Sequence, residues 1–562
     1  MGVTFTDNLD KSRKDINFLF NFDQDFISSL ENISPTELAS AMPYFSLSIA
    51  KMNGQKLSNL SLDWFQKPID FNNIGAEDRR YGDRPLLSLK DVSITTDNAS
   101  GYLYYTNVEI KFVVHRPDLL ASSILVAVLF PGSPLLMEYG WKNFKDSSLT
   151  QIQKLLLSVI SYDLNFDPNG EINLTVSCNA FNDRMSSIYI GDTTKADSNE
   201  NVSEEERGGL VFMKPQMEEL LKHYEEILKN PENKPSNDFK LVVDSAARIR
   251  SVIETTNRKI SDNFSGYVQK TEQYVQSKDI GKRKYNYISF GNLIYALCGE
   301  TLNELSQTIP GGKIEVIYGK FNQKAGDFSN KAISEFPIDY SKFLQIIKRY
   351  REAGNALTIS NLFSTIVREF LEDKEYWLST LKNNKKEPVV FNDPDVVVLY
   401  INNGDKFYIC IMDAKYGLPI TTASLPKGKS STAAAQKEVL KGTSIPIITY
   451  GKATSYIKNL TLSQTLTPEM KAVMIKRARD APGASTRSSF PYDALNKSVP
   501  TSPLTLPLQG SLTVFGHIDW KPFRAFYLDV GIYIVNGIYK ISKVTHVINS
   551  EGFETQVDFV AH

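Results

Sequence analysis

The sequence predicts an α+β protein, with β-rich regions towards both ends, a helical insertion between them and a mixed α/β middle domain. Three observations predict it. Apolar residues alternate with polar ones along several stretches, as in Val108, Ile110, Phe112 and Val114, the mark of half-buried strands. The stretches 239–276, 342–350 and 358–377 carry helical spacing instead. Turn signals, among them Asp167-Pro168-Asn169-Gly170 and Asn536-Gly537, punctuate the strand-like runs.

At 562 residues the chain has length for roughly three to four domains. Residues 1–85 read as an irregular N-terminal arm with short helices. There Ser34-Pro35-Thr36-Glu37 joins a capping side chain, a proline at the first helical position and an acidic first turn ahead of Leu38, which predicts a helix start. Residues 44–49 alternate as a strand, and 72–83 read as a polar loop. From 86 to 191 the pattern is β. Its Asp-Pro-Asn-Gly turn leads into Ile172, Leu174, Val176, Cys178 and Ala180 at period two, which predicts a hairpin. Cys178 thus falls on an apolar strand face and reads as a small core residue rather than a nucleophile.

Residues 192–287 read as an acidic loop (192–210) followed by helical segments at about 215–229 and at 239–276. The middle domain, 288–460, holds a strand through Ile314, Val316 and Tyr318 and the two later helices. It also holds a second hairpin, whose strands at 396–400 and 407–412 flank Asn402-Asn403-Gly404-Asp405. The last region, 461–562, ends in the most regular β pattern of the chain, with strands expected at 512–518, 526–535 and 538–547.

Composition excludes several function classes. Lys and Arg number 63 against 64 Asp and Glu, a net charge of −1, which argues against a whole-protein binder of nucleic acid or of acidic membrane surfaces. Cys178, Cys298 and Cys410 lie too far apart for a disulfide framework or a metal knuckle. The five histidines form no HxH or HxxxH pair, so neither a zinc enzyme nor any other cofactor is expected. The N-terminus lacks the basic-then-apolar order of a signal peptide, although MGVTFT fits the loose myristoylation pattern, which is frequent by chance. Residues 119–137 carry no charge, but Pro131, Gly132 and Pro134 interrupt them, and 120–130 has the length of a buried core element; no membrane span is expected.

Motifs that would carry chemistry are weak. Leu425-Pro426-Lys427-Gly428-Lys429-Ser430-Ser431 resembles a phosphate loop, but the glycine needed five residues before Gly428 is Ala423. Asp413-Ala414-Lys415, with Asp393 or Asp395, resembles the acid-plus-lysine pairing of some nucleases and reads as a surface cross-strand ion pair. Glu138, beside Tyr139 and Trp141, reads as a structural acceptor for backbone donors. Lys282, Arg283 and Lys284 beside Tyr285 and Tyr287 read as a solvated face or interdomain contact, too short a run for nucleic acid. No catalytic, cofactor-binding or metal residue is assigned, and the chain reads as a non-enzyme. Its 11% aromatic residues suit an assembly protein whose interfaces use Tyr, Phe and Trp as anchors.

The C-terminal segment carries a phrase of the form G-x-Y-x-I-x-x-V-x-H-x-I-x-x-x-G-F-x-T, occupied by Gly537, Tyr539, Ile541, Val544, His546, Ile548, Gly552, Phe553 and Thr555. It resembles the end of phage tail baseplate hub proteins and of related spike-bearing proteins of contractile injection systems. Residues 131–141 and 455–480 resemble hub-type proteins of large tailed phages more loosely; together the stretches cover less than a fifth of the chain. The resemblance implies tail-tube-like β-barrels at 86–191 and 461–562 and a homotrimeric ring. That ring would bind the tail tube protein on one face and the central spike protein on the other, with other baseplate proteins around it and the 192–210 loop as a candidate contact. It implies a structural role in the virion baseplate, assembled in the host cytoplasm. Two alternatives stand beside it: a tail-associated cell-wall hydrolase with two carboxylates within 290–460, or a wedge or adaptor protein of the baseplate.

Overall fold

A computed structural model describes residues 2–7, 42–49, 87–98, 103–115, 129, 131–142, 152–168, 171–180, 185, 237–280, 283–321, 331–352, 357–371 and 396–403. It also describes 406–413, 440, 445–451, 457–464, 508–522, 524–530, 536–549 and 552–561. The predicted helix start at 34–38, the segment 215–229, the acidic loop and the 425–431 stretch lie outside the described residues. In chain order come β1 (Gly2–Thr6), β2 (Met42–Ile49), β3 (Leu87–Asn98), β4 (Leu103–Val114), β5 (Pro134–Lys142), β6 (Ile152–Phe166) and β7 (Ile172–Asn179). Next are α1 (Asn237–Asp262), α2 (Phe264–Glu272), β8 (Gln276–Ile280), β9 (Arg283–Ser289), α3 (Phe290–Ser306), β10 (Lys313–Tyr318), β11 (Pro337–Asp339), α4 (Tyr340–Glu352) and α5 (Ile359–Ile366). The chain closes with β12 (Val396–Asn403), β13 (Lys406–Asp413), β14 (Ile447–Thr449), β15 (Ile457–Gln464), β16 (Leu508–Phe515), β17 (Ala525–Asp529), β18 (Gly537–Asn549) and β19 (Gly552–Ala561).

One large branching sheet organises the protein, and three groups of strands divide it. In the first lobe β2, β5, β6, β7, β4, β3, β18 and β19 are neighbours in that order. All of them send residues into one core, which is possible only if the sheet curls around it. Val92, Ile94, Val108, Ile110, Phe112, Met137, Tyr139, Leu155, Leu157, Leu174, Val176 and Cys178 are the inward members, each two residues from the next on its strand. The β6–β7 turn closes with Asp167 N–H donating to the Glu171 carbonyl (2.7 Å), as the Asp-Pro-Asn-Gly signal predicts.

The second lobe is formed by β15, β16, β19, β18, β17 and β14 around Leu512, Val514, Trp520, Phe526, Leu528, Tyr539, Ile541, Val557 and Phe559. Strands β18 and β19 therefore serve both lobes. Residues 537–540 of β18 pair with β17, whereas 544–549 pair with β3.

The third group is a module of β1, β10 and β13, mutually parallel, with β12 antiparallel to β13. Alternation sends Ile314, Val316 and Tyr318 into a large core shared with α1 to α5. Ile317, Tyr408 and Cys410 form a small cluster of their own. Ser289 caps α3 by accepting from Asn292 N–H (3.4 Å), and Thr358 caps α5 by accepting from Asn361 N–H (3.1 Å). Leu136 and Leu156, the outward residues of β5 and β6, join this helical core and seat the module on the outside of the first lobe.

Several expectations are corrected. Gly2–Thr6, read with the irregular arm, is a strand in register with Lys313 to Ile317. The segment 239–276 is two helices broken at Asn263, and its last residue begins a strand. Within the stretch 358–377 expected as one helix, Ile359–Ile366 is α-helical and Val367–Leu371 is a π-helical turn, while 372–377 lie outside the described residues. The strand expected at 512–518 stops at Phe515, where the chain leaves the sheet through Gly516.

Candidate functional site

Among the described residues, those that sequence inspection singled out for chemistry do not converge. Tyr139 and Trp141 point into the first lobe, whereas Glu138, one residue off in the pleat, pairs with Lys154 (2.5 Å) and accepts from the Tyr44 hydroxyl (3.2 Å) on the other face. The expected backbone donors are replaced by these side chains. Asp413 is wholly buried at the end of β13 opposite Val396, which corrects its expected place on the surface. Asp393 and Asp395 lie outside the described residues. Cys178, Cys298 and Cys410 are all buried. Burial pushes the Cys298 thiol up to about 12 and that of Cys410 up as well, so neither is a ready nucleophile. Among the described residues no three His, Cys, Asp or Glu side chains gather as a metal site, and no helix is long and apolar enough to cross a membrane. Arg283 and Lys284 are strand residues in the β8–β9 hairpin, opposite Ile280 and Asp279.

The C-terminal phrase, by contrast, maps onto one structural object, the β18–β19 hairpin. Tyr539, Ile541, Val544, His546, Ile548, Phe553 and Thr555 are all buried on it. The two-residue gap between Ile541 and Val544 is a β-bulge: Ile541 opposes Phe559 while Lys543 opposes Asp558, leaving Ser542 extra. Ser542 turns its hydroxyl to the Asp558 carbonyl (3.0 Å). The bulge resets the parity of β18, so Ile541 and Val544 both face the second core. Gly552 supplies a positive φ of +133° at the hairpin turn.

Against this hairpin lies a polar segment that sequence reasoning missed, residues 516–524. Gly516 N–H donates to the Phe553 carbonyl (2.9 Å), and its own carbonyl accepts from Trp141 Nε1 (2.6 Å). Trp141 stacks on Phe515 with ring centroids 4.6 Å apart. His517 N–H donates to Thr555 Oγ1 (3.1 Å), which also bonds His546 Nδ1 (2.9 Å) directly across the strands. Asp519 N–H donates to His517 Nδ1 (3.0 Å). Arg524, 3.7 Å from the Asp519 carboxylate, donates to the Asp519 carbonyl, and the Arg524 carbonyl accepts from Ile541 N–H (2.9 Å). The sequence signal was a dense set of charged residues around Trp520 beside apolar strands.

Burial dominates the electrostatics here. It holds His546 down to about 3, aided by His517 and Lys521, and holds His517 well below its ordinary value. Both rings are therefore neutral at physiological pH. Lys521 keeps part of its surface exposed; burial and then the Arg524 charge pull it down to about 7. It lines a cavity of ≈ 90 Å³ with Thr96, Tyr139, Tyr400, Asn402 and His546, room for a handful of waters. The histidines and Thr555 are engaged with one another, an arrangement that joins strands rather than activates a nucleophile.

By fold the chain is a sheet-rich α+β protein with two lobes built on a shared hairpin and a helix-covered module beside them. Neither known protein families nor curated proteins give a match to it. Solved structures similar to the chain are tail and injection-system proteins. The tail protein from Neisseria meningitidis MC58 is 7% identical with a TM-score of 0.31, over 92% of this chain and 96% of that one. The 43 kDa tail protein of prophage MuSo2 from Shewanella oneidensis is 8% identical with a TM-score of 0.35, over 92% and 98%. The E. coli c3393 protein, a type VI secretion component described as structurally similar to the T4 tail proteins gp27 and gp5, is 7% identical with a TM-score of 0.27, over 85% and 74%.

Proposed function

We propose that this chain is a structural hub of a phage tail baseplate or a related contractile injection device. Three copies form a ring in which each contributes two barrel-like lobes, so that six lobes face the tail tube and the opposite face holds the central spike. Other baseplate proteins surround the ring, and assembly occurs in the host cytoplasm before the complex becomes part of the virion. One observation carries the reading. Apart from the turn glycine Gly552, the residues of the hub-like phrase are buried on a hairpin shared by two lobes of a single chain. Two lobes held together in one chain are what a threefold ring needs to meet a sixfold tube. The engaged state of the interior polar groups supports a mechanical over a catalytic role.

The test is native mass spectrometry of the purified protein, alone and with the other tail proteins. A closed ring has a mass of about 190 kDa, three chains of 63.3 kDa. A strict monomer in both samples overturns the proposal and transfers weight to an adaptor or to a cell-wall hydrolase, to be assayed on peptidoglycan.

A further inference from the structure

Strand β6 outruns its neighbour. Strand β5 accompanies it only from Ile152 to Ser158, whereas β7 stays paired with it as far as Phe166. Among the described residues no strand pairs with the other edge of β6 from Ile160 to Phe166. After the irregularity between Val159 and Ser161, Tyr162, Leu164 and Phe166 lie opposite Val176, Leu174 and Ile172, on the core face of the ribbon. Yet Tyr162 is 42% and Phe166 63% exposed. Ser161, Asp163 and Asn165 take the other face, so the free stretch alternates apolar and polar residues without the lysine or proline that commonly blunts an edge.

A second open edge lies on the other lobe. Among the described strands β15 pairs only with β16, and its Leu460 and Leu462 turn towards the second core while Asn459, Thr461 and Ser463 are exposed. The two free stretches are similar in length, about 23 Å on β6 from Ile160 to Phe166 and about 26 Å on β15 from Ile457 to Gln464 at ~3.3 Å per residue. They match in charge as well: Asp163 and Asp167 mark the β6 side, while β15 carries Lys458 and no acidic residue. Lys458 is bonded to Glu554 within the chain and remains 53% exposed.

We propose that β15 of a second copy of this chain adds to the free edge of β6, extending the sheet from one protomer into the next. The inference rests on the ring reading above and supplies its seam. Pairing two different edges is a head-to-tail contact, which forms a cyclic ring where the rotation between copies closes, and it covers both of these edges. Backbone hydrogen bonds give the seam its affinity, and Tyr162 and Phe166 gain the cover they lack within one chain.

The experiment uses the full-length protein and has two arms. Tyr162→Lys with Phe166→Lys changes two exposed side chains, so the fold, checked by circular dichroism, is retained while ring association weakens at least tenfold in native mass. Asp163→Cys with Thr461→Cys or Ser463→Cys should give oxidant-dependent covalent trimers that neither single variant gives, since the native cysteines are buried. If the wild type forms a ring that the lysine pair leaves intact and no cysteine pair cross-links, the seam is elsewhere and the ring reading stands. If the wild type never forms a ring, both ideas fall together. If the edge cross-links to another tail protein instead, the choice of a second copy is wrong.

Discussion

Replacing Thr555 with valine removes one hydroxyl and almost no volume, which isolates what that hydroxyl does. Thr555 Oγ1 accepts the His517 N–H at 3.1 Å and meets His546 Nδ1 at 2.9 Å, and all three residues are buried. Valine leaves two buried polar groups without that partner, each costing about 1–3 kcal/mol, so the expected destabilisation is about 2–6 kcal/mol. Thr555→Ser supplies the comparison: it keeps the hydroxyl and loses one methyl group, worth about 1 kcal/mol. The assay is urea unfolding followed by tryptophan fluorescence, because Trp141 and Trp520 both lie near the joint. A chain with several cores need not unfold in one step, so the quantity compared is the midpoint of the transition that reports the lobes. Valine should lower that midpoint well beyond serine. Equal midpoints for the two variants, or a valine variant as stable as the wild type, would refute the argument that the hydroxyl ties His517 to β18 and β19.

The same joint should respond to pH. A histidine held down to about 3 is neutral when folded but takes a proton near 6.5 when unfolded, so it contributes stability that holds above pH 6.5 and falls below it by about 1.4 kcal/mol per unit. His517 is held down too and adds its own fall, so His546→Asn should lessen this acid limb in denaturant midpoints without abolishing it. For Lys521, pulled from 10.5 to about 7, stability should rise between pH 7 and 10.5, by less than about 1.4 kcal/mol per unit because the side chain is partly solvated, and Lys521→Met should abolish the rise. A Cβ at Gly516 would stand 2.4 Å from the Phe553 ring, so Gly516→Ala should cost about 1–3 kcal/mol or more in thermal unfolding; Gly552→Ala has open space and should show only the strain of its +133° φ. Deleting Ser542 removes the bulge and turns either Tyr539 and Ile541 or Val544 and Ile548 to the wrong face, so proteolysis should release the C-terminal hairpin in that variant and not in Ser542→Ala.

Period two is where the sequence spoke clearly. Val108 to Val114, Ile172 to Cys178 and the paired runs around Asn402 and Asn403 are strands because each lays one face on a core, and a slip of one residue would reverse every side chain. The hub-like phrase was legible as spacing for the same reason, its irregular step being the bulge. What stayed hidden depends on partners far along the chain. Gly2 to Thr6 is too short to declare itself, and only the parallel register with Lys313 to Ile317 makes it a strand. The polar segment was opaque for another reason. His517, Asp519 and Arg524 look solvent-facing one by one, and their burial follows from mutual hydrogen bonds that no local pattern encodes. Glu138 misled through its neighbours in sequence, since adjacent residues on a strand share no face.

The shared hairpin has a mechanical consequence. If each lobe closed on strands of its own, the two could tilt about a linker. Here β18 is hydrogen-bonded to β17 along its first part and to β3 along its second, and β19 flanks it throughout. A tilt between the lobes would have to bend one continuous strand at Ser542, where the hydroxyl to Asp558 secures the bulge, and pull His517 off Thr555. Ile548 and Phe553 fill the first core while Ile541 and Phe559 fill the second, so loosening either core loosens the strand that holds the other. The lobes are therefore coupled through side-chain packing as well as backbone, and the angle between them is fixed within the chain.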